Sequence, residues 1–272
     1  MIPNVARAIA RTLLLTLMFT ATAQASGLGP RGLEGLTAAR GMSFDHYTFA
    51  ALWMPGVCHS WHDIGTVCDT TPNDAAVTRE FSLHGLWPSI PKELSDRGMK
   101  PPTWWKYGCY WYAPDHRIPQ SCALPRTALP STLQQRLDAA MPLTNICLDR
   151  HEYTKHIACF GPKEDTFFSD ALTVLNRLNA SRFTRWISEH RGQTVAKGAI
   201  RQAFATSFRQ RDAAALELRC DARPGSQRRD VLTQVWITIP TDKLDTFPQP
   251  RSFKAGRRGN CADQIVIEDT LH

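Results

Sequence analysis

The sequence of 272 residues has no internal repeat, no low-complexity tract and no long linker, which excludes a solenoid, a disordered chain and a string of separately tethered domains. At 43% hydrophobic and 21% charged residues, the composition also excludes a collagen and a coiled coil. No apolar run has bilayer length. The most apolar stretch, Leu13 to Phe19, has a core only about half the roughly 20 residues that a membrane span requires. Arg7 and Arg11 precede it and Ala23-Gln24-Ala25 follow it before Ser26, the three-part layout of a secretory signal peptide. Residues 1–25 are therefore expected to be removed and residues 26–272 to form one domain, without a membrane anchor, in a periplasm or the extracellular space.

Losing Arg7 and Arg11 lowers the formal net charge from +7 to +5, and the mature chain stays basic. A polyanionic partner fits that balance, although charge alone selects none. All eight cysteines, Cys58, Cys68, Cys109, Cys122, Cys147, Cys159, Cys220 and Cys261, follow the expected cleavage point. An even number in an exported chain points to four disulfides. Proximity favours Cys58 with Cys68 and Cys220 with Cys261, leaving the central four to pair among themselves.

Strands are expected at 47–53, 79–86, 231–239 and 264–268 from alternation and β-branched content, with Pro88 closing the second. Helical periodicity opens at Ser131, continues over 148–160, and predicts one long amphipathic helix over 169–190 and another over 199–209. Residues 91–130, rich in Pro, Gly and Trp, read as loops held by disulfides and aromatic packing. Strands first, helices in the middle and strands last favour an α+β domain with a mostly antiparallel central sheet flanked by helices and stapled by disulfides.

Reactive groups concentrate in two segments, Phe81-Ser82-Leu83-His84-Gly85-Leu86-Trp87-Pro88 and His151-Glu152-Tyr153-Thr154-Lys155-His156-Ile157-Ala158-Cys159. On a helix, His151, Glu152, Lys155 and His156 fall within an arc of roughly 140° and can face one cleft. Glu152 and His156 are i,i+4 partners, so the carboxylate is expected to orient the imidazole and favour its charged form. Imidazoles, a lysine and a carboxylate around one cleft suit a reaction that needs a base, an acid and stabilisation of an anion. A zinc site of the His-Glu-x-x-His kind is not expected. The second histidine stands at i+5, roughly 140° from the first, and Lys155 occupies i+4 where a ligand belongs. No cofactor is expected either.

These two segments resemble the active-site segments of the ribonuclease T2 family, secreted endoribonucleases that cut RNA without a metal. His84-Gly85-Leu86-Trp87-Pro88 matches completely. The second family segment, His-Glu-Trp-x-Lys-His-Gly-x-Cys, is matched at His151, Glu152, Lys155, His156 and Cys159, with Tyr153 and Ile157 as departures. The stretch from Tyr47 to Cys58 is similar to the family's first strand and first cysteine, and the late cysteines flank a strand, so the resemblance covers most of residues 44–268. Leu52 stands where many members carry a polar residue that contacts a base.

The resemblance implies cleavage of single-stranded RNA through a 2′,3′-cyclic phosphate to 3′-phosphate ends, with low base specificity. It makes His156 the general base, His84 the general acid and His151 a phosphate contact, with Lys155 and Glu152 stabilising the transition state and Trp87 stacking a base. The attacking group is the substrate's own 2′-hydroxyl, so DNA is not expected to be cleaved. A monomer is expected. A β-branched Ile157 in place of glycine beside His156 predicts a narrowed cleft or a displaced imidazole. The alternative to an enzyme is accordingly an impaired family member that binds RNA or a protein on the same fold.

Three other features stand apart. Cys58-His59-Ser60-Trp61-His62 before Cys68 reads as a disulfide loop with two histidines rather than a metal site. Arg223, Arg228, Arg229, Arg251, Lys254, Arg257 and Arg258 make the last third basic, and either steer RNA or form solvated faces. Trp104, Trp105 and Trp111 either cover the core or form a stacking platform.

Overall fold

The computed structural model describes residues 41–272, so the expected signal peptide at 1–25 lies outside the described residues. In chain order the elements are β1 (His46–Leu52), α1 (Met54–Ser60), α2 (Val67–Thr70), β2 (Ser82–Pro88), α3 (Lys92–Asp96), α4 (Pro101–Tyr107), α5 (Ser131–Ala140) and α6 (Leu148–His156). They continue through α7 (Glu164–Asn179), α8 (Arg182–Glu189), β3 (Gln193–Ala196), α9 (Lys197–Ser207), β4 (Leu216–Asp221), β5 (Val231–Pro240) and β6 (Gln264–Ile267). The sheet runs β2-β1-β5-β6-β3, with β4 paired to β5 beside that path. Every pairing is antiparallel except β5 with β6. The architecture is the expected α+β domain with helices against a mostly antiparallel sheet.

Alternation gives the sheet two distinct faces. Phe49, Ala51, Leu83, Leu86, Leu216, Leu218, Val235, Ile237 and Ile239 all point into the main core, where Phe168, Leu172, Phe183 and Phe204 from α7, α8 and α9 meet them. The opposite face carries the polar and aromatic members of the same strands. Cross-strand register sets Gly85 opposite Ala50, Ala50 opposite Trp236, and Trp236 opposite Glu217.

Two β-bulges interrupt the ladders. Ala50 pairs with Gly85 while Ala51 pairs with Leu83, so His84 is the extra residue on β2. Arg219 pairs with Gln234 while Cys220 pairs with Leu232, leaving Thr233 as the extra residue on β5. Bulges of this kind re-aim side chains without ending the strand.

Four disulfides join Cys58 to Cys68, Cys109 to Cys159, Cys122 to Cys147 and Cys220 to Cys261. Two of the disulfides and the buried Trp104 and Trp111 hold residues 91–130 as expected, but the stretch is not simply loop: α3 and α4 lie in it, followed by 3-10 turns over Gly108–Tyr112 and Ser121–Ala123. The single helix expected over 169–190 is instead two helices. Asn179 exchanges hydrogen bonds with both the N–H and the carbonyl of Phe81, and the Ser181 side chain caps α8 by accepting from the Thr184 N–H. These polar contacts break the backbone ladder while the apolar stripe continues across the break through Leu178, Phe183 and Ile187. β3 and β4 were not anticipated from the sequence.

Candidate active site

Helix α6 carries four of the six expected site residues, and its position is fixed at both ends. Cys147 immediately precedes it in a left-handed conformation and is bridged to Cys122, while Cys159, three residues beyond its end, is bridged to Cys109. Lys155 and His156 close its last turn, where the negative end of the helix dipole favours positive charge. Strand β2 supplies the other two residues. Because of the bulge, His84, Gly85 and Trp87 all face α6, while Leu83 and Leu86 enter the core.

The six groups meet in one cluster, with Glu152 buried and the others partly exposed. The His151 and His156 rings are 5.9 Å apart between centroids. The Trp87 ring stacks on His156 at 5.3 Å and meets His84 edge-on at 5.0 Å, standing between the two imidazoles. Its indole N–H donates to Glu152 Oε2, and Glu152 Oε1 lies 3.7 Å from His84 Nε2. Gly85 is what permits this approach: a Cβ there would sit 1.9 Å from Glu152 Oε2 and 2.4 Å from Trp87 Nε1. Two depressions near Phe81 and Asn179 hold none of these groups.

Glu152 therefore does not form the expected i,i+4 pair with His156; its carboxyl is turned across to β2 instead. The consequence for protonation is also opposite to expectation. Burial, with further contributions from Lys155, His151 and His84, pushes the His156 imidazole well below its ordinary range. Burial likewise lowers His84 and His151 to about 4 each, and raises Glu152 to about 8 against the opposing pull of the Trp87 N–H and Lys155. Lys155 is lowered by burial. Burial thus favours the neutral form of all three imidazoles and of Lys155 alike.

The sequence reading missed Gln234. This side chain, 7% exposed, projects from β5 onto the face of the sheet away from the core, and its Oε1 accepts from Trp236 Nε1–H at 2.8 Å. An indole nitrogen only donates, so that atom is the amide oxygen, and His84 Nδ1, 2.8 Å from the same oxygen, must be protonated. The tautomer of His84 is set, and its Nε2 is left facing the cleft. Trp236 also meets Trp87 edge-on at 5.0 Å, and Trp61 meets His84 at 6.1 Å while donating to Asp221. A signal existed: Gln234, Trp236 and Thr238 alternate with Val235, Ile237 and Ile239, marking a polar face behind the apolar one.

Ile157 does not reach the cleft. It is 1% exposed within the main core, and its backbone at φ −131°, ψ −24° is ordinary for an L-residue. The expected narrowing is overturned, because the residue after α6 turns inward where the chain leaves the helix. Leu52 is also wholly buried, in the smaller core cluster with Met54 and Val57. Asn179, in a glycosylation-like Asn-Ala-Ser, is engaged with the Phe81 backbone.

Among the described residues, one set of side chains could hold a cation. Donor atoms of His151, Glu152 and His156 all lie within 4.8 Å of one another, so the helical separation argued from sequence does not keep them apart. The surroundings still oppose a cation there: Lys155 acts electrostatically on all three groups, and Trp87 N–H already bonds Glu152 Oε2. The chemistry the cluster offers is proton transfer and anion stabilisation.

Comparison with known proteins gives a consistent picture. The model of the ribonuclease T2 family matches residues 44–250. Ribonuclease I of Escherichia coli strain K12 is 29% identical over 236 residues, covering 83% of this chain and 86% of that protein. Among solved structures, the self-incompatibility-associated SF11-RNase of Nicotiana alata has a TM-score of 0.52 at 15% identity, covering 83% of this chain and 100% of that one. Ribonuclease MC1 from bitter gourd seeds has a TM-score of 0.50 at 19% identity, covering 82% of this chain and 100% of that one. The structural likenesses speak for the fold.

Proposed function

This chain belongs to the ribonuclease T2 family, and we propose that it is an exported, metal-independent endoribonuclease that cleaves single-stranded RNA by transphosphorylation. The observation that carries this reading is the convergence of His84, His151 and His156 with Lys155 and Glu152 around Trp87 in one cleft. His156, kept neutral by its surroundings, takes the proton of the ribose 2′-hydroxyl. The 2′-oxygen then bonds to phosphorus while the bond from phosphorus to the 5′-oxygen breaks, and His84 Nε2 gives the departing oxygen a proton. The product is a 2′,3′-cyclic phosphate, which water opens to a 3′-phosphate with the two roles exchanged. Lys155 and His151 face the charge that builds on the phosphoryl oxygens.

Protonation of His84 is driven by the substrate. Its cation is disfavoured by burial, but an entering phosphodiester supplies the negative charge that stabilises it. Glu152, held partly protonated by burial and 3.7 Å from His84 Nε2, is placed to share that proton. Activity requires one neutral and one charged imidazole and therefore follows a bell in pH. Trp87, whose N–H and one face are engaged by Glu152 and His156, contributes only its remaining surface to a base.

Four disulfides support folding in an oxidising compartment, and among the described residues no helix is long and apolar enough to cross a membrane. The test is cleavage of a mixed RNA and a matching DNA by the mature chain in excess chelator, with product ends identified by mass spectrometry. RNA-only cleavage leaving 2′,3′-cyclic ends is expected. Chelator-sensitive cleavage, or none by the oxidised protein, overturns the reading.

A further inference from the structure

Two features with no role in the cleft meet beside it. Among the tryptophans of the middle segment, Trp104 and Trp111 are 3% and 4% exposed and belong to the core, whereas Trp105 on α4 is 42% exposed. Above its ring, at 3.8 Å, lies the guanidinium of Arg257, from the basic last third of the chain. A second pair of the same kind stands nearer the cleft, with the Arg219 guanidinium 4.6 Å from the Trp236 ring. Trp236 is the ring that touches Trp87 and bonds Gln234, so this second pair is one side chain removed from the histidines, which Trp87 and Gln234 contact.

One carboxylate links the pairs. Glu217 on β4, only 4% exposed, bonds Arg219 Nη1 at 3.2 Å and interacts electrostatically with Arg257 as well. Glu217 and Arg219 sit opposite Trp236 and Gln234 in the register, so they share the site face of the sheet. Arg257 comes from a strap laid along the free edge of β4. The Gly256 N–H donates to the Ala214 carbonyl, the Asn260 N–H donates to that of Leu218, and the Asn260 side chain bonds both backbone groups of Cys220. The Cys220–Cys261 disulfide closes the strap, and a Cβ at Gly259 would lie 2.1 Å from the Leu218 carbonyl oxygen. Held this tightly, the strap turns Arg257 and Arg258 to solvent.

We propose that this row, from Trp236 and Arg219 through Glu217 to Arg257 and Trp105, is an extended binding track for single-stranded RNA. It grips nucleotides beyond the scissile phosphate and makes the enzyme prefer long chains to dinucleotides. A guanidinium oriented by a buried carboxylate, as Arg219 is, and one laid over an indole, as Arg257 is, suit phosphate oxygens, and an exposed indole stacks any base, because every base has a π-face. Glu217 is a positioning residue here, since it acts through Arg219, which it bonds. The proposal rests on the reading that RNA is the substrate.

The experiment compares the wild type with Trp105→Ala/Arg257→Ala on a dinucleotide and on a dodecanucleotide, and measures binding of a 2′-deoxy dodecamer, which carries the same phosphates and bases but no attacking hydroxyl. The ratio of kcat/KM for the dodecamer to that for the dinucleotide is expected to fall about tenfold, through KM. Deoxy-dodecamer affinity is expected to drop about as much, with a salt slope shallower by about 0.7 for the lost phosphate contact. Trp105→Phe should retain most of both, and thermal melts check the fold. An unchanged ratio together with unchanged affinity overturns the track and leaves both pairs as surface packing. If the wild type cleaves no RNA at all, the function proposed above fails, and the binding arm still decides the track.

Discussion

The two faces of the sheet are made by alternate residues of the same strands, yet they obey different rules. On the core face, Leu83, Leu86, Val235 and Ile237 interdigitate with helical side chains, and what counts is apolar volume. On the site face, His84, Gly85, Trp87, Gln234 and Trp236 are tied by directional contacts, and what counts is which atom meets which. A volume change on the first face is expected to cost stability, and an atom change on the second to cost activity while the fold survives.

The sharpest break in that contrast comes from the site face. His156→Ala and His84→Ala should each lower cleavage by about 10²- to 10⁴-fold while near-ultraviolet circular dichroism and Tm stay close to the wild type. An active double variant would remove both residues from the mechanism. Ile157→Gly tests the other side. Emptying a core position should destabilise the protein by roughly 3 kcal/mol or more in denaturant titration, with the rate per folded molecule unchanged. A faster enzyme would put Ile157 back at the cleft.

Gln234→Leu keeps the bulk but removes the oxygen that sets the tautomer of His84. About a tenfold fall in kcat with little change in KM is expected, and an equal rise in KM would argue for a substrate contact instead. A further effect is on the pH dependence of stability. His84 and His151, lowered to about 4, bind protons less readily folded than unfolded, so they weaken the fold as pH drops from about 6.5 towards 4. Glu152, raised to about 8, acts in reverse. The native state keeps a proton that the unfolded chain releases, so stability drains as pH rises from about 4.5 to 8. Glu152→Gln should flatten that alkaline-side loss in urea melts at a series of pH values, and an unchanged slope would show Glu152 ionised in the native protein.

Much of this was legible in advance. The strands over 46–52 and 231–240, the helix over α6, two cysteine pairs by proximity, and the shared face of His151, Glu152, Lys155 and His156 follow from period and spacing, while the family resemblance implied that His84 joins them. Three points went astray for the same reason, since each depended on a partner distant in the chain. Asn179 broke the long helix by bonding Phe81, Glu152 left His156 for Trp87, and Ile157 turned from the cleft into the core.

The sequence by itself determined the composition of each face and the chemistry of the cleft, because residue type sets pKa range, donor count and burial preference whatever the fold. Only the tertiary structure decided how those groups meet. His84 and Trp87 are three residues apart and would point to opposite sides of an unbroken strand. They share a cleft because the pairing of β2 with β1 leaves His84 without an opposite residue, and that bulge flips the alternation between them. Register is a property of two strands, so it is settled by how β1 and β2 pack on each other and on the core beneath them.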